Sequence, residues 1–69
     1  MNICEAVEKM KRQNKKYITT QEFKNTNFDF KIEPTNSPEC CFVYLEKEIY
    51  KGWQPKLTDF LRNDWIICD

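Results

Sequence analysis

Sixty-nine residues make one domain, spanning 1–69, and a chain of that size buries only about 60% of the surface its unfolded form exposes, so a disulfide, a metal or a partner subunit is expected to supplement the core. Eleven Lys and Arg balance eleven Asp and Glu, which removes the broad positive field that drives non-specific nucleic-acid binding and excludes DNA or RNA as the main ligand. No apolar run approaches the ~20 residues that cross a bilayer, and the start of the chain lacks a secretory layout, so a cytoplasmic protein with no membrane contact is expected.

Asn2 followed by Glu5 reads as a capping box that starts a helix at Ile3. Ile3, Ala6, Val7 and Met10 fall at i, i+3, i+4 and i+7, and charged residues take the other face, which makes the helix amphipathic as far as Gln13 or Asn14. Lys11, Arg12, Lys15 and Lys16 form the basic cluster of the chain. They suit either phosphate contact or a solvated helix end, where cations favour the macrodipole.

Tyr17–Thr20 is β-branched and aromatic, and Phe28, Phe30 and Ile32 alternate with Asp29 and Lys31, so two strands are expected. Between them Gln21–Asn27 reads as a polar loop holding one aromatic, Phe23, which either plugs the core or stacks on a ligand. Pro34 to Pro38 is a run of turn formers and must be a loop. Cys41–Leu45 and Glu48–Lys51 flank Glu46-Lys47 as a tight hairpin. Gly52, the one glycine of the chain, is expected to supply a backbone angle closed to other residues.

Pro55 introduces a short helix reaching about Arg62, with Leu57, Phe60 and Leu61 on one face, and Trp65–Cys68 returns as the last strand. Leu61 and Trp65 are expected in the core. The fold class is α+β: a small antiparallel β-sheet, an N-terminal amphipathic helix and a short C-terminal helix before the last strand, with the helices on one side.

Cys4, Cys40, Cys41 and Cys68 lack the C-x2-4-C knuckle spacing of a zinc site, His is absent, and a reducing cytoplasm keeps thiols free. No metal and no cofactor are expected, and Cys4 and Cys68 read as small buried apolar residues. Without His, a cysteine nucleophile has only lysines as neighbouring bases, and Asp59 and Asp64, five apart, face different ways on a helix. Neither a serine elbow nor a phosphate-cradling glycine loop is present, so an enzyme is not expected. From the residues alone the reading ends at a small, neutral binding module.

The segment from Trp53 to Ile67 resembles the C-terminal signature of the type-two Thoeris anti-defence family of phage proteins, approximately W-x-P-[ST]-x-x-D-[LM]-L-A-x-D-W-x-I. Trp53, Pro55, Asp59, Leu61, Asp64, Trp65 and Ile67 fit it at fixed spacing. Glu5-Ala6-Val7 is similar to the family's E-A-L opening. Thr20 and Phe23 stand where members often carry R-x-x-W, and Lys56 where they prefer a Ser or Thr cap.

The resemblance implies a homo-oligomer, dimer or tetramer, that works in the cytoplasm of the infected bacterial host. It implies a sponge that sequesters a cyclic nucleotide immune signal, a cyclic ADP-ribose isomer or cyclic oligonucleotide, without cleaving it. Such a site needs an aromatic platform, acceptors for a base edge and donors for phosphate. Phe23, Asn25, Gln54, Thr58 and Asp59 are the candidates, with Trp53 and Trp65 assigned to the core. Related domains also occur in anti-CRISPR proteins, so direct inhibition of a defence nuclease is the alternative. An accessory phage protein with no ligand is the third reading.

Overall fold

The structure is a computed structural model describing residues 1–69. Asn2 Oδ1 accepts from the Glu5 N–H at 2.8 Å while a Glu5 carboxylate oxygen accepts from the Asn2 N–H at 3.0 Å, and this reciprocal cap starts helix α1 (Ile3–Arg12). Ile3, Ala6 and Met10 are buried and Val7 is half-buried, so the apolar stripe docks as its spacing requires. Asn14, at φ 56, supplies the left-handed stop. Cys4 is exposed, contrary to expectation, and Cys68 is half-buried.

The remaining elements are β1 (Tyr17–Thr20), α2 (Gln21–Asn25), β2 (Phe30–Pro34), β3 (Cys41–Leu45), β4 (Glu48–Trp53), α3 (Leu57–Leu61) and β5 (Trp65–Cys68). They form an antiparallel five-stranded sheet in the order β4-β3-β2-β1-β5. Ile18 lies opposite both Ile32 and Ile67, Ile32 opposite Val43, and Thr20 opposite Trp65. Because side chains alternate along a strand, this register lays one apolar row on the face that α1 covers. The opposite face carries Tyr17, Lys31 and Tyr44.

Gln21–Asn25 is a helix, where a polar loop was expected. Thr20 Oγ1 accepts from the Phe23 N–H at 3.3 Å and caps it, Glu22 lies in the first turn and Lys24 in the last. One turn and a half has no room for an apolar stripe, so periodicity could not reveal it. The strand expected from Phe28 begins at Phe30, because Asn27, at φ 58, turns the chain and leaves Phe28 outside the ladder.

The expected hairpin forms with Glu46 at φ 48 and Lys47 at φ 75, angles that a two-residue turn of this type demands and that neither residue favours. Gly52, at φ 79, sits with Lys51 where two residues of β4 oppose Phe42 alone, a bulge that Gly permits without a Cβ penalty.

Leu61 is 69% exposed, which overturns its assignment to the core, and Leu57 on the same short helix is 73% exposed. The space beneath α3 is filled by Trp65 instead. Trp65 is 1% exposed, and its indole N–H donates to the Asp59 carbonyl at 2.9 Å. Trp65→Ala should therefore cost about 3–5 kcal/mol and unfold most of the population, whereas Leu61→Ala should stay within about 0.5 kcal/mol. Urea melts of the two variants, read by far-ultraviolet circular dichroism, check both values.

Candidate functional site

Phe23 is half-buried on α2, its ring 4.5 Å from Phe30 and 5.5 Å from Phe28 between centroids. Asn25 is exposed, and its Oδ1 accepts from Gln21 Nε2 at 2.8 Å. Gln54 and Thr58 are exposed on the far side, at the end of β4 and in α3. Asp59 is half-buried and committed to its own helix: its Oδ2 accepts from the Lys56 N–H at 2.8 Å. That bond is the one half of a capping box present here, since Lys56, a side chain with no acceptor, cannot cap the first-turn amides. The five residues thus fall into two groups, and none of them lines a cleft.

Beside the first group lies a cleft of about 340 Å³ lined by Lys24, Asn27, Phe28, Asp29 and Lys31, with Cys68 and Asp69 on its other wall. The turn after α2 builds it. The Asn27 N–H donates to the Lys24 carbonyl at 3.2 Å and the Phe28 N–H to the Phe23 carbonyl at 3.1 Å, which fixes the Phe28 ring at the rim, 42% exposed, with Phe23 behind it. Phe23 is therefore the support and Phe28 the aromatic that faces the cleft.

The Lys31 ammonium stands 4.0 Å from the Tyr17 ring centroid and donates to the Asp69 carbonyl at 3.2 Å. Neither Lys31 nor Lys24 forms an ion pair; the three pairs of the molecule join Lys15 to Asp69, and Arg62 to Glu22 and to Asp64. Lys24, which carries no ion pair, Lys31, held at Asp69, an exposed ring, an amide and the two carboxylates of Asp29 and Asp69 together can hold a polar aromatic ligand. Burial pushes up the pKa of the Cys68 thiol on the wall, away from a reactive thiolate.

Two other clefts suit such a ligand less well. One of about 340 Å³ between α1 and β4 is mostly apolar, with Glu8 its one charge. Another of about 610 Å³ has Lys11 and Lys15 but no aromatic, and Lys15 is paired with Asp69. The alternation of Phe28, Phe30 and Ile32 hid this cleft by assigning Phe28 to a strand. Asn27 was the available signal, since Asn readily takes the left-handed angle that ends such a run.

Arg62 positions this region from below. It donates to Glu22 of α2 at 2.8 Å and to both oxygens of Asp64 at 2.8 and 2.6 Å, while the Gln21 N–H donates to the Asp64 carbonyl at 2.8 Å. The network holds α2 against the α3–β5 connection.

A family model described as a Thoeris anti-defense 2-like domain matches residues 1–68. No curated protein and no solved structure matches the chain.

Hydrogen bonds from Arg62 hold the Asp64 carboxyl below its ordinary value of 3.8. A carboxyl depressed by folding stabilises the native state above its unfolded pKa, and that stability is lost as pH falls from about 4 through the lower folded value. Asp64→Asn should therefore be less stable than the parent at pH 7, with the gap closing below pH 4. Thermal melts of both proteins across pH 2–7 give the comparison.

Proposed function

The chain belongs to the Thoeris anti-defense 2-like family, and on that premise we propose that it is a phage anti-defence protein that binds a cyclic nucleotide immune signal and holds it without cleaving it. A bacterial defence effector is then never activated. The observation that carries this reading is the exposed Phe28 ring in a cleft that the ammonium groups of Lys24 and Lys31 also line. In this reading the base stacks on Phe28, the phosphates lie against the two lysines, and Asn27 and Asp29 meet the base edge or ribose hydroxyls. Phe23 and Asn25 act from behind and beside that surface, and Gln54, Thr58 and Asp59 belong to a separate one.

The cleft is at the small end of the roughly 300–1,000 Å³ range of ligand sites, so one copy covers a single nucleotide unit. A second copy would close over the rest. Leu57, Phe60 and Leu61 are exposed on α3, an apolar patch that a further subunit of this chain would bury, supplementing a small core. The same patch fits the direct-inhibitor alternative, in which a defence nuclease covers it.

Stacking of a base on an aromatic is worth roughly 1–3 kcal/mol, so Phe28→Ala should weaken binding about 5- to 150-fold. Lys24→Ala should weaken it less, and with a shallower salt dependence. Calorimetric titration of cyclic ADP-ribose isomers and cyclic dinucleotides into folded parent and variants is the experiment, and a Phe28→Ala variant that binds like the parent would remove the cleft from the account. For the subunit contact, Leu57→Glu with Leu61→Glu should lower the mass seen in sedimentation equilibrium while the circular dichroism spectrum stays native. A parent that is monomeric at every micromolar concentration would leave the patch to a defence protein.

A further inference from the structure

Neighbouring residues on a strand project to opposite faces, so two adjacent cysteines at a strand start ordinarily hold their sulfurs apart. Cys40 and Cys41 do not. Cys40 adopts φ 66, a left-handed angle that L residues take at a cost, and the result is a Cys40 Sγ to Cys41 Sγ distance of 3.4 Å. Strain of this kind persists only where its surroundings impose it. Here Thr35 imposes it, its N–H and Oγ1 both donating to the Cys40 carbonyl at 2.8 and 2.9 Å, while the Cys40 N–H donates to the Ser37 carbonyl at 3.0 Å.

One member of the pair also opens on a cavity. Cys41 is buried and lines the apolar cleft of about 340 Å³ whose walls include Ile18, Ile32, Trp53 and Phe60. We propose that the Cys40–Cys41 dithiol is a binding site for a trivalent, thiophilic centre of pyramidal geometry, a monosubstituted arsenic(III) being the type, with its apolar substituent seated in the cleft.

The separation of the sulfurs selects that class. With bonds to sulfur of about 2.3 Å, two atoms 3.4 Å apart subtend about 95° at the bound centre. That angle suits a pyramidal atom with a lone pair, falls short of the ~109° of tetrahedral zinc and is far from linear. No third Cys, His, Asp or Glu completes a metal site around the pair.

The reaction is a condensation. An aryl arsenic(III) dihydroxide loses both As–O bonds and gains two As–S bonds, and each thiol proton leaves with a hydroxide as water. Arsenic stays trivalent and sulfur stays at the thiol level, so neither oxidant nor reductant is required. Burial and the neighbouring Cys40 push the Cys41 thiol up to about 12, which keeps the free site as a dithiol.

Phenylarsine oxide added to the reduced, folded chain tests the proposal, with intact-mass analysis and titration of free thiols. One phenylarsenic per chain is expected, consuming two thiols, surviving a large excess of a monothiol and released by ethane-1,2-dithiol. The adduct should raise the melting temperature. Cys40→Ser and Cys40→Ala, at the half-buried position, should abolish the monothiol-resistant adduct with a native spectrum. A Cys4→Ser, Cys68→Ser double variant should keep it. Absence of a monothiol-resistant adduct in the parent, or its survival in Cys40→Ser, would overturn the assignment.

Discussion

Burial of the Trp65 side chain is the constraint on which the other parts of this protein rest. Its indole N–H is bonded to the Asp59 carbonyl, its backbone N–H donates to the Met1 carbonyl at 3.0 Å, and it lies opposite Thr20 across the β1–β5 ladder. One residue thereby joins α3, the entry to α1 and the end of β1. Thr20, held in that ladder, caps α2, and α2 carries Phe23, the ring that backs Phe28 at the cleft. A large aromatic with a satisfied polar tip suits this place, since it fills the volume under a five-residue helix and leaves no buried donor unpaired.

The cost of a small chain is visible on the surface. Eight residues form the buried apolar core, and a domain of this size cannot also cover Leu57, Phe60 and Leu61. These apolar side chains are gathered on one short helix, separate from the cleft at the α2–β2 turn. The sheet divides the labour in the same way: one face carries the core and α1, the other carries Tyr17, Lys31 and Tyr44 in an aromatic and cationic row.

Much of the architecture could be read in the amino-acid order, because long-range packing left regular marks there. The α1 stripe, its capping box, the left-handed Asn14, the β3–β4 hairpin and Gly52 each follow from local rules, and the family that the Trp53-to-Ile67 spacing resembles is the one whose model matches residues 1–68. What escaped reading were short elements. A five-residue helix such as α2 has no periodicity, and its cap, Thr20, is also the last residue of a strand, so nothing local marked where the helix starts. Leu61 satisfied a helical spacing yet points outward, since spacing tells which residues share a face and not whether that face is covered. The candidate residues suffered from the same gap: Phe23 and Asp59 were legible as unusual side chains, but their bonds to Phe28, Phe30 and Lys56 are products of the fold.

A chain with no net charge still offers anion contacts when its cations are spread unevenly, and here Arg62 and Lys15 absorb carboxylates while Lys24 carries no ion pair. Sequestration needs nothing more than affinity and abundance. The most direct measurement is recovery of the signal: a cyclic ADP-ribose isomer or cyclic dinucleotide is equilibrated with excess protein across a dialysis membrane, and the protein is then heat-denatured and the released material identified by mass. The account predicts that one of these nucleotides is depleted from the free pool in proportion to the protein and returned intact. No depletion of any of them, or return as a cleaved product, would contradict it.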